Sequence, residues 1–181
     1  MEEKDIYHPH HRPYRFCPHC AGPLNTRLVK QGEPERLVCG ACGFVCYLDP
    51  KVAACTVTSY NDRIVLIKRA IAPAYGQWVI PGGFVDRGET VEDAAVRETR
   101  EETELEVRLT GLLNIYSYPG SIVVVVAYTA SPIGGVPRAA DEALEIGLFQ
   151  AGEIPWQDLA FPSTCDALRE YVHGRSGART R

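Results

Sequence analysis

No stretch of this 181-residue chain approaches the roughly 18 consecutive apolar residues that would span a bilayer. The start, Met1-Glu2-Glu3-Lys4-Asp5, has neither the basic opening nor the apolar run of a secretory leader. Positive charge is not in excess either: 19 Lys and Arg stand against 23 Asp and Glu, for a net charge of −4. That balance argues against a protein that grips nucleic-acid phosphates over its whole surface. No internal repeat interrupts the sequence. The expectation is a cytoplasmic protein with no membrane partner. Apolar residues are not lacking: 45% are hydrophobic and 23% charged, enough for a packed core, and the length suits one ordinary domain with at most a small appendage. Seven cysteines are an odd number and fit a reducing compartment, where spaced cysteines more often bind metal than form a disulfide framework.

Residues 1–15 carry His8, His10 and His11 among Pro9 and Pro13 with no apolar periodicity, and read as a flexible arm rather than a metal site, since nothing fixes the histidines' geometry. From Phe16 the sequence is Phe16-Cys17-Pro18-His19-Cys20-Ala21-Gly22, and the pattern returns as Cys39-Gly40-Ala41-Cys42-Gly43-Phe44. Two such Cys-x-x-Cys knuckles can each offer two sulfurs to one tetrahedral ion, so Cys17, Cys20, Cys39 and Cys42 are assigned to a structural zinc site. Gly22 and Gly43 are expected where the knuckles turn without a Cβ. A segment of this size, residues 16–48, cannot bury much core, so zinc would supply its folding energy. Basic and acidic residues nearly balance over the first 48 positions, which makes the ribbon a poor nucleic-acid binder. Cys46, Cys55 and Cys165 lie outside the pattern and read as small core residues.

After Asp49-Pro50 the character changes. Val52 to Tyr60 and Ile64 to Arg69 are β-prone runs about Asn61-Asp62-Arg63, a hairpin. Residues 70–90 form a Pro- and Gly-rich loop with a short strand around Trp78-Val79-Ile80. Thr90 caps a helix through roughly Thr103, with Asp93 at its third position. Strands follow near 106–118 and 121–130, Gly134-Gly135 marks a turn, Leu144 to Phe149 is another strand, and Ser163 to Val172 a closing helix. Residues 49–174 are thus expected to form one α/β sandwich with a mixed sheet and helices on both sides, and 175–181 a frayed tail.

The chemistry is concentrated between Gly83 and Leu105, where eight acidic and three basic side chains stand. On a helix Glu98, Glu101 and Glu102 fall at i, i+3 and i+4, on one face with Val91, Ala94 and Ala95. Asp93, Arg97, Arg100 and Glu104 fall on another side, a mixed-charge face suited to solvent. Three carboxylates turned inward repel unless cations compensate them, and hard oxygen ligands suit Mg²⁺ or Mn²⁺.

The same stretch resembles the Nudix box: Gly, five residues, Glu, seven residues, Arg-Glu, an aliphatic residue, any residue, Glu-Glu, any residue, Gly, and an aliphatic residue. Gly83, Glu89, Arg97, Glu98, Glu101, Glu102 and Leu105 fall in register. Thr99 departs from the aliphatic position and Glu104 from the final Gly, where a left-handed residue normally ends the helix or, failing that, the helix runs slightly longer. The resemblance implies an α/β/α Nudix sandwich preceded by a zinc ribbon, and hydrolysis of a nucleoside diphosphate linked to another group. It implies that Glu98, Glu101 and Glu102, with the Gly83 carbonyl, hold the catalytic cations, and that Arg97 and Glu89 brace loop and helix. In the run Asp141-Glu142-Ala143-Leu144-Glu145, Glu142 is favoured over Glu145 as a further carboxylate, and a glutamate within the box is the alternative base.

The arrangement of ribbon and box resembles the zinc-ribbon Nudix hydrolases over about residues 16–173. The NADH pyrophosphatase signature, Ser-Gln-Pro-Trp-Pro-Phe-Pro, is missing from Leu113 to Ser121, which leaves ADP-ribose or FAD as the expected small-molecule substrate. The alternatives are NADH hydrolysis, cleansing of nucleoside triphosphates, and a non-catalytic nucleotide- or RNA-binding sensor or adaptor. Arg69, Trp78, Phe84 and Tyr116 are the candidate substrate contacts, with Tyr75 as a further aromatic and Phe161 as a staple against the last helix. The family also suggests a homodimer.

Overall fold

The computed structural model describes residues 14–178, with side chains through 174; His8, His10, His11 and residues 179–181 lie outside the described residues. The described residues separate into two compact units, one ending at Pro50 and one running from Lys51 onward.

The first unit is a three-stranded antiparallel sheet in the order β1 (Leu24–Arg27), β2 (Arg36–Cys39), β3 (Val45–Cys46). Its two cysteine knuckles close on themselves. The Cys17 N–H donates to the Gly22 carbonyl at 2.8 Å and the Cys39 N–H to the Phe44 carbonyl at 2.8 Å. The left-handed residue of the second knuckle is Gly43, as expected, but in the first it is Ala21. Gly22 serves close packing instead: a Cβ there would sit 2.9 Å from the Ala41 Cβ and 3.1 Å from the Cys39 sulfur.

In the second unit β4 (Lys51–Tyr60) and β5 (Arg63–Arg69) form the expected hairpin. Asn61 and Asp62 both take positive φ, the requirement of a two-residue turn whose twist matches the strands. The sheet runs β10 (Ala143–Phe149), β5, β4, β9 (Val123–Gly134), β8 (Glu106–Tyr116); β6 (Trp78–Val79) joins β5 and β7 (Gly82–Phe84) joins β4. Among the strands of the described residues only β4 and β9 pair in parallel. Both faces of the central strands are covered. Along β4, Ala54 packs against α1 (Val91–Thr103) while Cys55 and Val57 pack on the opposite side with Ala167 and Leu168 of α2 (Pro162–Ala178). Along β5, Ile64 and Leu66 share that α2 core while Val65 packs with Leu105 behind α1. The period of two in each strand therefore builds an α/β/α sandwich. Cys46 and Cys55 are buried and Cys165 is half-buried against the α2 core.

Three elements differ from expectation. Residues 82–84, read as loop, are strand β7, because Gly82 and Gly83 lie close enough to β4 to pair with Cys55 and Ala54. Strand β9 continues to Gly134 through Pro132. The last residue of β9 paired with β4 is Ala130, so proline sits where no N–H is needed on that side. Helix α2 continues to Ala178, past the expected end at Val172, since a helix already nucleated and packed extends at small cost. Among the described residues no helix is long and apolar enough to cross a membrane.

Candidate functional site

Helix α1 begins where Thr90, in an extended conformation, accepts the Asp93 N–H on its hydroxyl at 3.1 Å and donates to the Asp93 carboxylate at 2.7 Å. It ends at Glu104, which takes the left-handed conformation, φ 56° and ψ 14°. Of the two outcomes open for a non-glycine at that position, the chain adopts the turn and carries its cost of roughly 1 kcal/mol. Ala94, Ala95, Thr99, Glu102 and Thr103 form the buried face. Small alanines there let the helix approach Ala54 on the sheet, and the approach brings the box carboxylates over β7.

Of the three glutamates expected to turn inward together, only Glu102 is fully buried, at 4% exposure. Its carboxylate accepts the Gly82 N–H at 2.8 Å. Burial pushes the Glu102 carboxyl up to about 8; the Gly82 N–H and Arg69 oppose that rise, while Glu98 and Glu142 add to it. Glu98 is raised by burial as well, against the pull of Arg97. Gly83 lies directly against it: a Cβ on Gly83 would be 2.5 Å from the Glu98 carboxyl. Glu101 is more open, its side chain 39% exposed.

Arg97 does not join a solvent face with Asp93, Arg100 and Glu104. Its guanidinium folds back over the loop, donating to Glu89 at 2.8 and 2.9 Å, to Glu98 at 2.7 Å, to Glu101 at 3.1 Å and to the Phe84 carbonyl at 3.1 Å. The helical wheel places its Cα correctly, but a long side chain with five donors reaches the nearest carboxylates. Glu89 is fixed on both sides, since it also accepts the Asp86 N–H at 3.1 Å. Arg97 and then that N–H hold the Glu89 carboxyl down at about 2.

Glu142 stands immediately before β10, exposed, with its backbone carbonyl accepting the Ala70 N–H at 2.8 Å. Its charge contributes to the environments of Glu98, Glu102 and Arg69. Glu145, by contrast, pairs with Lys68 at 3.4 Å. Arg69 closes the same corner. Its Nε–H donates to the Pro73 carbonyl at 2.9 Å, its guanidinium lies 5.1 Å from the Phe161 ring centre, and burial lowers its pKa against the attraction of Glu102 and Glu142. Phe161 packs with Ile67, Val79 and Ala160 at the start of α2.

The candidate aromatic contacts divide. Tyr116 is buried in the α2 core and donates its hydroxyl to Glu170 at 2.9 Å, so its ring is a packing element, not a platform for a base. Trp78 packs on the same core, meets Phe149 edge-on at 5.1 Å and has Lys68 5.4 Å from its ring centre. Alternation along β6 and β8 points both inward. Phe84 is exposed beside Gly83, with the Lys51 ammonium 4.7 Å from its ring centre, and Tyr75 is exposed in the 70–77 loop.

In the ribbon, the sulfurs of Cys17, Cys20, Cys39 and Cys42 all lie within 4.8 Å of one another, with Cys17 to Cys42 at 3.8 Å and Cys20 to Cys39 at 3.5 Å. A tetrahedral Zn–S₄ site with bonds of about 2.3 Å has sulfurs about 3.8 Å apart. The donor set fits zinc. Backbone N–H groups of Cys42 and Ala41 point at the Cys39 sulfur and hold that thiol down at about 6.

Two features escaped sequence reading. Thr56 and Thr58 on β4 and Thr99 on α1 are fully buried and share hydroxyl hydrogen bonds, Thr56 to Thr58 at 2.9 Å and Thr56 to Thr99 at 2.8 Å. Thr99 also donates to the Ala95 carbonyl at 2.7 Å. A threonine at an aliphatic box position and two more at alternate positions of a buried strand were the available signal. The second feature is a loop, 135–142, whose amides end α1: the Arg138 N–H donates to the Thr103 carbonyl at 3.0 Å and the Ala140 N–H to the Glu102 carbonyl at 3.2 Å. No spacing rule links residues so far apart in sequence.

The NUDIX domain model matches residues 48–165 and the Nudix N-terminal model, a zinc ribbon, matches residues 15–48. An ADP-ribose pyrophosphatase of Methanocaldococcus jannaschii is 37% identical over 135 residues, covering 72% of this chain and 78% of that protein. An NAD-capped RNA hydrolase, NudC, of Chromobacterium violaceum is 31% identical over 154 residues, 84% of this chain but only 54% of that protein, so the chain spans about half of its length. A crystal structure of a NUDIX hydrolase from Nitrosomonas europaea superposes with a TM-score of 0.86 at 34% identity, over 91% of this chain and 93% of the other.

Proposed function

The chain belongs to the Nudix hydrolase family, with a zinc ribbon ahead of its hydrolase domain, and from that premise we propose that it cleaves the pyrophosphate of ADP-ribose or FAD with the help of Mg²⁺ or Mn²⁺. The single observation that supports the reading best is the packing of Glu98 and Glu102 beside Gly82 and Gly83, with one guanidinium, that of Arg97, shared among Glu89, Glu98 and Glu101. Three carboxylates sharing one guanidinium keep a net negative charge, and the buried Glu102, which accepts only the Gly82 N–H, is stable as an anion only with a further cation beside it. Hard oxygen donors of this kind fit Mg²⁺ or Mn²⁺.

In this reading Glu98, Glu101, Glu102 and the Gly83 carbonyl hold the cations. A divalent cation, when bound, neutralises phosphate charge and lowers the pKa of a coordinated water. The chain's own residues do the rest. Arg97 and Glu89 lock the loop to the helix so that the carboxylates keep their spacing. Glu142 takes the proton from the attacking water, whose oxygen joins one phosphorus while the other phosphate departs. Arg69, braced by Pro73 and Phe161, steadies the substrate's negative charge, and exposed Phe84 offers a face to the base. In the ribbon Cys17, Cys20, Cys39 and Cys42 hold zinc, whose role is structural.

The 37% identity to an ADP-ribose pyrophosphatase supports the substrate choice. Residues 113–121 lack the NADH pyrophosphatase signature, which places NADH behind it. The test is a screen of ADP-ribose, FAD, NADH and nucleoside triphosphates with Mg²⁺ and Mn²⁺, on the native chain and on Glu101→Gln and Glu102→Gln. We expect AMP release from ADP-ribose or FAD, and a loss of kcat on the order of 10²-fold or more in each variant with the fold retained. Undiminished rates in both variants overturn the metal assignment; preference for a triphosphate overturns the substrate.

A further inference from the structure

We infer that the segment from Gly135 to Glu142 is a strap that sets the Glu142 carboxylate against the α1 glutamates, with Gly135 as its positioning residue. The inference deepens the reading above and rests on it.

The strap begins at a point of forced contact. Gly135 has φ 81°, and a Cβ there would overlap the carbonyl oxygen of Glu104 and lie 3.2 Å from the Leu105 Cα. The box itself lacks glycine at its helix-ending position, and Glu104 occupies the left-handed turn. The contact is with the backbone of Glu104 and Leu105, which leaves no room for a side chain at the position that passes over the turn. From there the strap is tied to the last turn of α1 by its own amides, Arg138 to the Thr103 carbonyl and Ala140 to the Glu102 carbonyl. These are two of the carbonyls that a helix end leaves without partners. The tie at Ala140 matters most, because the residue it grips is Glu102 itself. The Arg138 Nε adds an exposed ion pair to Glu104 at 3.7 Å. After Ala140 the backbone turns, with Asp141 at φ 44° and the Ala143 N–H donating to the Ala140 carbonyl at 3.0 Å. Glu142 is then fixed on its far side by its carbonyl, bonded to the Ala70 N–H, next to Arg69.

Glu142 is thus held between two anchors, the Glu102 backbone and the end of β5. Both anchors belong to elements that carry charged groups of the site. The bond from the Ala70 N–H continues the pairing of β10 with β5, so the strap is held at one end by helix α1 and at the other by the sheet. Withdrawal of Gly135 from Glu104 should release the first anchor and let the Glu142 carboxylate drift relative to Glu98 and Glu102, and displacements of this order lower rate far more than affinity.

The experiment combines exchange with a double-mutant cycle on the full-length chain. Hydrogen–deuterium exchange should show the Arg138 and Ala140 amides protected in the native chain and exchanging at least about 10-fold faster in Gly135→Ala. On the substrate cleaved fastest, Gly135→Ala should lower kcat by about 10-fold with KM within about 2-fold, and should cost nothing further in a Glu142→Gln background. Arg138→Pro, which removes the amide tie to Thr103 together with the exposed ion pair to Glu104 but adds no Cβ at the Gly135 contact, should behave in the same way and serves where Gly135→Ala does not fold. Losses that add in the double variant overturn the strap's role in setting Glu142. A native-like rate for Glu142→Gln alone also overturns it while leaving the hydrolase reading intact, whereas native-like rates for Glu101→Gln and Glu102→Gln remove both.

Discussion

Glu102 is the residue on which opposing effects meet. Its burial raises the carboxyl to about 8, far above the ordinary carboxylate value of 4.5. A raised acid binds its proton more tightly folded than unfolded, so the stability it contributes is fully present below the unfolded pKa and is lost as pH rises through about 8. We expect the urea midpoint of the metal-free chain to fall between pH 5 and 8, and the slope to flatten in Glu102→Gln. Glu89 works in the opposite sense: its carboxyl is lowered from 4.5 to about 2, so its contribution is constant in that window and is lost as pH falls from 4.5 through about 2. In the proposed reading Glu102 is a cation ligand, and cation binding there must expel its proton. Mn²⁺ affinity should therefore rise with pH toward about 8, with close to one proton released near neutrality. Calorimetry in buffers of different ionisation enthalpy measures that release, and its absence in the native chain would refute the titration. The three glutamates were legible in the sequence from their spacing alone. Their unequal burial was not, because it depends on how far β7 lies beneath each one.

Helix α1 illustrates what a single element owes to local rules and what it owes to packing. Its start at Thr90 and its end near Thr103 follow from a cap residue and from a sequence that stops being periodic. Its seat on the sheet depends on hydroxyls. Thr99, in the place of an aliphatic residue, bonds the Ala95 carbonyl and Thr56, which in turn bonds Thr58. Thr99→Val keeps the shape and deletes the hydroxyl, leaving Thr56 with Thr58 alone. The expected cost is about 1 kcal/mol, measured as a shift in urea midpoint at unchanged m-value. Thr56→Val/Thr99→Val should cost less than the sum of the single changes, since the Thr56–Thr99 bond is lost only once, while Thr58 loses its Thr56 partner in Thr56→Val and in the double variant alike. Additive costs would mean the two hydroxyls act separately. Arg97 shows the converse limit. Its position on the helix was readable, yet its partners Glu89 and the Phe84 carbonyl come from the loop, and only the folded loop decides between a solvent face and a clamp.

At the scale of the whole molecule, two units with different sources of stability share one chain. The unit from Lys51 has buried apolar cores on both faces of its sheet, while the unit ending at Pro50 has four clustered sulfurs and a three-stranded sheet. Metal analysis should find about one zinc per chain. Chelation should abolish exchange protection in β1 to β3 and leave β4, β5 and β9 protected; protection of β1 to β3 that survives complete zinc removal would rule out a structural metal. The sequence by itself determined the cysteine knuckles, the box register, the Thr90 cap and the strand alternation, because each depends on residue type at short, regular spacing. Only the tertiary structure decided the burial of Glu102, the fold-back of Arg97, the inward turn of Tyr116, the threonine contacts beneath α1 and the passage of Gly135 over Glu104. Those depend on distances between segments far apart in the chain, which are set once β4, β9 and α1 pack and the space between them is filled.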